Sequence, residues 1–297
     1  MTYSPTLCVF ANFFIDNDER LQRMKDSFYS FCDVMPEEWK INIRGRLKYH
    51  ASDFLHSELG ENVDIYFLES PKGWFFDSHS FMIDVKSDYI FFWIEDHICL
   101  VDPHYLRSVV NDMFLMSVDQ LRYSWFHAST FQSFQFLPVI DSTQFICSYQ
   151  LDKRSSNITK QSLGRDFYSV SVVSIFKKDF FLLVLTSNRP YLKRWPKHLP
   201  FDFEKMSSDS VAPLIKTALP KKELFAAIDD DHGNIGYSLI SRGQYPNRIT
   251  RDDLKDLEFG VGRFRKFLQF LPHFLLNFIV NAYVFGKRLV YTFFYYI

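Results

Sequence analysis

The chain has 297 residues, of which 47% are hydrophobic and 23% charged, a balance that belongs to a folded protein and excludes a disordered one. Lys and Arg number 34 against 35 Asp and Glu, for a formal net charge of -1, so there is no overall basic field to attract nucleic acid. Four widely spaced cysteines, Cys8, Cys32, Cys99 and Cys147, form no CxxC pair, so buried free thiols in a reducing compartment explain them better than disulfides or a zinc site.

The N-terminus, MTYSPTLCVFANFF, lacks a basic n-region, which predicts no signal peptide and a cytoplasmic protein. Residues 7–15 (LCVFANFFI) read as a first strand, followed by turn and N-cap groups at Asp16, Asn17 and Asp18. In residues 19–31, Leu21, Met24, Phe28 and Phe31 recur at helical spacing opposite Arg20, Arg23 and Lys25, an amphipathic helix. Residues 39–44 (WKINIR) alternate like a strand, residues 51–59 form a short helix closed by Gly60, and residues 63–68 (VDIYFL) are a third strand. Residues 71–85 hold a helix or loop rich in Phe and Trp.

The stretch 87–102, SDYIFFWIEDHICLVD, organises the rest. Its run 89–94 is apolar and aromatic throughout, long enough for a strand covered on both faces and too short for a helix of its own. It is predicted to be a central strand. Glu95, Asp96 and His97 then interrupt the run before it resumes at 98–101, so three ionisable groups sit where a buried strand reaches the rim of its sheet. In open α/β sheets ligands bind at that rim, outside the carboxyl ends of the strands. The plainer reading is a polar strand end facing water.

Residues 103–124 carry Leu106, Val109, Val110, Met113 and Leu121 in helical register, with Asp102 as the cap before Pro103. Segments 143–151, 168–176 and 180–186 read as strands, with Lys177, Lys178 and Asp179 as a hairpin turn between the last two, and the polar segment 152–164 reads as a loop. Residues 188–205 (NRPYLKRWPKHLPFDFEK) are dense in proline, basic and aromatic residues. The apolar run 224–228 then leads into Asp229, Asp230, Asp231, His232 and Gly233, a second acidic and histidine cluster whose alternative reading is an exposed Asp-rich turn. Two such clusters, each directly after an apolar run, point to a shared site.

Strands and helices alternating at short intervals predict an α/β fold: a mixed, mostly parallel sheet flanked by helices, followed by an antiparallel portion. The strand-to-helix turns carry Asp and Asn rather than glycines, with neither GxGxxG nor a P-loop, which disfavours a dinucleotide dehydrogenase and a P-loop ATPase.

This layout resembles a glycosyltransferase of the GT-A type, in which a Rossmann-like half binds a nucleotide sugar and an antiparallel half helps bind the acceptor. The residues carrying the resemblance are the first strand with Asn12 and the acidic tip after it, SDYIFFWIEDHICL, and HLPFDFEK followed by DDDHG, spanning residues 5–245. The resemblance implies a GT-A-like domain over 1–258, with a nucleotide-sugar half (1–125) and an acceptor half (126–258). It also implies transfer of a sugar from a nucleotide-activated donor to a glycan or lipid-linked glycan, in bacterial surface polysaccharide or lipopolysaccharide synthesis.

Such enzymes usually carry Asp-x-Asp at this strand end, where this chain has Glu95, Asp96 and His97. A hard divalent cation bridging a diphosphate suits carboxylate oxygens, and an imidazole shifts preference from Mg²⁺ toward Mn²⁺. On this resemblance the nucleotide-sugar contacts are Asn12, Glu95, Asp96, Lys205 and Arg242, the metal ligands Asp96, His97 and His232, and the general base one of Asp229, Asp230 and Asp231. In a metal-free version Lys193, Arg194, Lys197 or Lys205 neutralises the leaving phosphate.

From 259 to 297 the chain has no acidic residue, and basic groups at Arg263, Arg265, Lys266 and at Lys287, Arg288 flank the uncharged segment 267–286. Gln269, Pro272, His273, Asn277 and Asn281 interrupt that segment, which favours a helix lying in the headgroup layer over one that crosses the bilayer. The expected location is peripheral, on the inner face of the cell membrane; a helix packed on the domain is the alternative. Two other functions compete with the transferase: a catalytically silent relative acting as a membrane-bound scaffold for polysaccharide assembly, and a nucleotidyltransferase, weakened by the missing glycine-rich basic loop.

Overall fold

A computed structural model of the chain describes residues 3–70, 74–124, 134–163, 172–186, 215–229 and 237–248. In order, these residues form β1 (Leu7–Phe14), α1 (Asp18–Phe31), β2 (Glu38–Arg44), α2 (Lys48–Leu59), β3 (Val63–Tyr66), α3 (Trp74–Met82), β4 (Tyr89–Trp93), β5 (His97–Cys99) and α4 (Pro103–Leu115). They continue with β6 (Gln120–Arg122), β7 (Asp141–Ser142), β8 (Ile146–Leu151), α5 (Lys153–Leu163), β9 (Ser174–Lys177), α6 (Lys178–Thr186), β10 (Ile215–Pro220) and β11 (Phe225–Ala227). Nine strands make one sheet in the order β3-β2-β1-β4-β9-β6-β10-β8-β7, and β5 pairs with β11 in a small second sheet.

The fold is α/β. Strands β3, β2, β1 and β4 run parallel, β9 is antiparallel to both neighbours, β6 and β10 are parallel, and β8 and β7 complete an antiparallel edge. From β1 the chain crosses through α1 to β2 on one side, whereas β4 lies on the other side of β1. Strand order therefore reverses between β1 and β4, the place where a crevice opens at the carboxyl ends of such a sheet.

Alternation along the strands assigns the two faces. Trp39 and Trp93 pack against Phe28 and Phe31 of α1, with Phe13 on Trp93, while on the opposite face Phe10 meets Phe81 of α3 and both Phe10 and Phe92 meet Phe181 of α6. All five residues of β4 are buried, which is why their run is unbroken by polar residues. Capping also follows the sequence: Asn17 accepts from the Arg20 amide at 2.9 Å, and Asp102 from the Tyr105 amide at 2.8 Å.

Several elements differ from the sequence reading. Residues 180–186 are not a hairpin strand: α6 starts at Lys178 and buries Phe180, Phe181, Val184 and Leu185, an i, i+1, i+4, i+5 stripe. Residues 153–163 are helical rather than loop, because Asp152 and Ser155 cap each other, with Ser155 N–H to Asp152 Oδ1 and Asp152 N–H to Ser155 Oγ both at 2.7 Å. The helix from Pro103 stops at Leu115, before Ser117 at φ 53, and Leu121 lies on β6 instead. Strand β10, unread in the sequence, fills the sheet between β6 and β8. The run after Trp93 does not continue as one strand: it turns at Glu95 and Asp96, with the His97 amide on the Ile94 carbonyl at 3.2 Å.

Compactness separates Met1–Pro246 from Asn247–Ile297. The tail 259–297 lies outside the described residues. Among the described residues no helix is long and apolar enough to cross a membrane.

Candidate functional site

On the α3 face, Asn12 of β1 stands directly opposite Asn42 of β2. The fully buried Asn42 is satisfied: its Nδ2 donates to Asn12 Oδ1 at 2.9 Å and to the Leu68 carbonyl at 3.0 Å, and its Oδ1 accepts from the Leu68 amide at 2.8 Å. Asn12 Nδ2 is buried and has no partner. Two residues further along β2, Arg44 also has a buried, unpartnered Nε. Its guanidinium lies 5.8 Å from the Phe14 ring centroid, and Arg20 approaches the same ring at 5.7 Å while donating to the Phe14 carbonyl at 2.8 Å. Burial lowers the Arg44 pKa, and Glu69, Asp77 and Glu95 oppose that shift without reaching ion-pair distance. Ser70 Oγ and Ser78 Oγ are buried without partners as well, beside Asp77, which accepts from the Ser70 amide at 2.9 Å. Buried donors without acceptors cost about 1–3 kcal/mol each, so four such groups together call for a functional explanation.

At the end of β4 the chain turns at Glu95 and Asp96. Asp96 Oδ1 is 2.8 Å from His97 Nδ1, and His97 opens β5. Helix α1 holds this turn from below: Trp93 Nε1 donates to Ser27 Oγ at 2.8 Å, Ser27 Oγ donates to the His97 carbonyl, and Ser30 Oγ accepts from the Cys99 amide at 2.9 Å. Burial pushes the Cys99 thiol up to about 11, so it stays protonated and is no nucleophile near neutral pH.

The second acidic cluster starts at this same turn. Strand β11 pairs antiparallel with β5, Ala227 opposite His97, and the Ile228 amide donates to the Asp96 carbonyl at 2.8 Å. Asp229 follows, 4% exposed, with Oδ2 on Arg23 Nη1 at 2.7 Å; Arg23 Nε in turn donates to Glu19 at 2.9 Å. The sequence pattern set Arg23 opposite the apolar stripe of α1, yet it is 1% exposed, because Glu19 and Asp229 neutralise it inside the core. The Leu239 and Ile240 amides return to the Ala227 and Ile228 carbonyls at 2.9 and 3.0 Å.

Of the residues singled out in the sequence, Asn12 lies toward the carboxyl end of β1, Glu95 and Asp96 follow β4, His97 opens β5, and Asp229 follows β11 one residue after the Ile228 amide that donates to the Asp96 carbonyl. Arg242 is engaged by Glu223, Nη1 to Oε2 at 2.7 Å and Nη2 to Oε1 at 3.2 Å. Lys193, Arg194, Lys197, Lys205, Asp230, Asp231 and His232 lie outside the described residues. Sequence reasoning missed Arg44 and Arg23. The available signals were an arginine closing a buried strand before a glycine, and the i, i+4 spacing of Glu19 and Arg23.

Among the described residues no group of three or more His, Cys, Asp or Glu is spaced to hold a metal ion. Asp96 offers hard oxygen donors of the type that suits Mg²⁺ or Mn²⁺, cations that one or two carboxylates bind together with phosphate oxygens and water. A cation therefore fits here as one shared with a phosphate-bearing ligand.

No family model matches the sequence, and no curated protein matches it. Among solved structures, the chain is similar to S. aureus TarS 1-349 in complex with UDP-GlcNAc, with 10% identity and a TM-score of 0.44 over 77% of this chain and 60% of that one. S. aureus TarS 1-349 without the ligand gives 12% identity and a TM-score of 0.42 over 75% and 60%. The mannosyltransferase PcManGT from Pyrobaculum calidifontis, in complex with GDP-Man and Mn2+, gives 11% and 0.32 over 40% and 35%. The chain spans less than two thirds of each of these structures.

Proposed function

We propose that the chain is a glycosyltransferase of the GT-A type that transfers a sugar from a nucleotide-sugar donor to a glycan or lipid-linked glycan acceptor in surface polysaccharide synthesis. The observation that carries this reading is the pairing, at the strand-order reversal, of unpartnered donors on one side (Asn12 Nδ2 and Arg44) with carboxylates at the end of β4 (Glu95 and Asp96). Donors of this kind take the oxygens of an anionic nucleotide, and the carboxylates suit a cation bound to its phosphates.

In this reading Asn12 and Arg44 orient the nucleotide, and Glu95 sets the local charge beside Arg44. Asp96 holds the shared cation, together with His232 and with His97 as far as its contact to Asp96 allows. When bound, Mn²⁺ or Mg²⁺ stabilises charge on the departing diphosphate. Lys205 and Arg242 are the further nucleotide-sugar contacts. Asp229 Oδ2 is taken by Arg23, which leaves Asp230 or Asp231 to accept the proton of the attacking acceptor hydroxyl. Covalent geometry supports bringing His232 to this turn, since three residues from Asp229 span at most about 11 Å between Cα atoms. The GT-A-like domain takes up 1–258, and the basic, aromatic tail 259–297 binds the inner membrane surface close to lipid-linked acceptors.

A thermal-shift panel of nucleotide sugars, including UDP-GlcNAc and GDP-mannose, with and without Mn²⁺, tests the proposal. A ligand at a hundredfold its Kd adds about 2.7 kcal/mol of stability, roughly 4 °C for a chain of this size. A shift with one donor class, lost in Asp96→Ala, supports the transferase. No shift with any donor overturns it in favour of the scaffold.

A further inference from the structure

Helix α1 contributes more than packing to this site. Arg23 is a buried cation 206 positions from its partner Asp229, and it is the described side chain that ties α1 to the end of β11 by an ion pair. Two carboxylates hold it. Glu19 holds Nε from one turn earlier on the same helix, and Asp229 holds Nη1. One residue before Asp229, Ile228 is gripped twice: its amide donates to the Asp96 carbonyl at 2.8 Å and its carbonyl accepts from the Ile240 amide at 3.0 Å. Moving Asp229 therefore moves the peptide that fixes the Asp96 turn. Burial opposes the Arg23 charge, but Asp229, Glu19 and Asp96 more than offset it, so the guanidinium stays charged and committed to this cluster.

We infer that Arg23 is a positioning residue: by clamping Asp229 it holds the Asp96 carboxylate in the orientation that receives a cation together with a nucleoside diphosphate. The inference rests on the transferase reading of the site. Arg23 touches neither ligand nor cation in this account; it acts through Asp229, Ile228 and the Asp96 main chain. A buried ion pair is a poor stabiliser relative to a neutral pair of the same shape, which fits a device kept for geometry rather than for stability.

The test is calorimetric binding of UDP and of GDP to the full chain, each with and without MnCl₂, for wild type, Arg23→Gln, Asp229→Asn and the double variant. The double variant replaces Arg23 and Asp229 by a hydrogen-bonding neutral pair of similar volume, so of the two carboxylates that Arg23 holds only Glu19 loses its charged partner, a milder change than Arg23→Gln alone. The readout is the ratio of affinities with and without Mn²⁺, which a merely structural residue does not move in a protein that still folds. The expected result is a fall of at least tenfold in that ratio in each variant, with the double variant no worse than the poorer single, because both substitutions break one coupled unit. Arg23→Lys, which keeps the charge, recovers part of the ratio. Should the double variant fail to fold by circular dichroism, Asp229→Asn, which weakens the clamp from an ion pair to a neutral hydrogen bond without changing its volume, gives the same reading. A folded double variant with an unchanged ratio overturns the inference. A wild type that binds UDP or GDP equally with and without Mn²⁺ also overturns it while leaving the transferase reading standing, and a wild type that binds neither overturns both.

Discussion

The two ends of the parallel strands spend their polar groups in opposite ways. At the amino ends, carboxylates are saturated with donors. Glu37 takes the Leu7 amide at 2.7 Å and Arg107; Glu38 takes the Lys86 and Ser87 amides at 3.0 and 2.7 Å and the Ser87 hydroxyl; Asp88 takes the Thr6 amide at 2.8 Å, the Thr6 hydroxyl and the Tyr3 hydroxyl. At the carboxyl ends, Asn12 Nδ2 and Arg44 Nε are left buried and unanswered. The same sheet is thus completed at one rim and left incomplete at the other, so the first rim carries stability and the second is where the binding proposed above is placed.

Breaking the contrast most severely takes a change that damages the carboxyl rim as a structure. Gly45, just after Arg44, has φ +96, and a Cβ there would lie 2.5 Å from the Ile15 carbonyl oxygen. Gly45→Ala combines a strained conformation with a collision against main chain, so a loss of about 3 kcal/mol or more is expected in urea unfolding. An unchanged midpoint would mean that β1 and β2 can separate there at no cost. Next comes Glu38→Ala, which strands the donors of Lys86 and Ser87. It should cost about 2–3 kcal/mol with nucleotide affinity untouched; equal losses in both would erase the division between the rims.

Arg44→Met sharpens the division from the other side. It removes a half-buried charge that has no ion-pair partner among the described residues while keeping the bulk of the side chain, so the melting temperature should hold or rise while affinity for the nucleotide falls about tenfold, roughly 1.4 kcal/mol. A lower melting temperature would make Arg44 a structural residue. The smallest effect is a slope. Burial alone would raise the Asp88 pKa, but the hydrogen bonds from Thr6 and Tyr3 hold it below its ordinary value. A carboxylate depressed in the folded state stabilises above its unfolded pKa, about 3.9, and that contribution fades as pH falls through the folded value. Asp88→Asn should therefore flatten the loss of stability below about pH 4. Identical acid limbs for both proteins would assign the loss to other carboxylates.

How much of this was legible depended on whether local pattern and tertiary environment agreed. Strand β4 was readable because a strand covered on both faces leaves an uninterrupted apolar run, and the caps at Asn17 and Asp102 because capping is local. Residues 180–186 were misread because a short apolar run fits a buried strand and a buried helix alike; only Phe10 and Phe92 on the sheet beneath decide it. Strand β10 (IKTALP) shows no clear alternation and ends in proline, and its partners β6 and β8 lie about 70–100 residues away. In the site, the Glu95–Asp96–His97 triplet stood out as a charge interruption. Arg23 looked like solvent-facing polarity because the partner that buries it, Asp229, is distant in sequence, and Arg44 looked like an ordinary strand end. Long-range neutralisation leaves no trace in helical or strand periodicity.

The four residues of β9 join the two parts of the large sheet, since β3-β2-β1-β4 reaches β6-β10-β8-β7 through Ser174–Lys177. On the ribosome β9 emerges about 80 residues after β4, so at about 5–20 residues per second the nascent chain leaves the open side of YIFFW unzipped for on the order of 4–16 s. That aromatic edge stands to gain from a chaperone in the interval, and expression yield should respond to translation speed across the intervening codons.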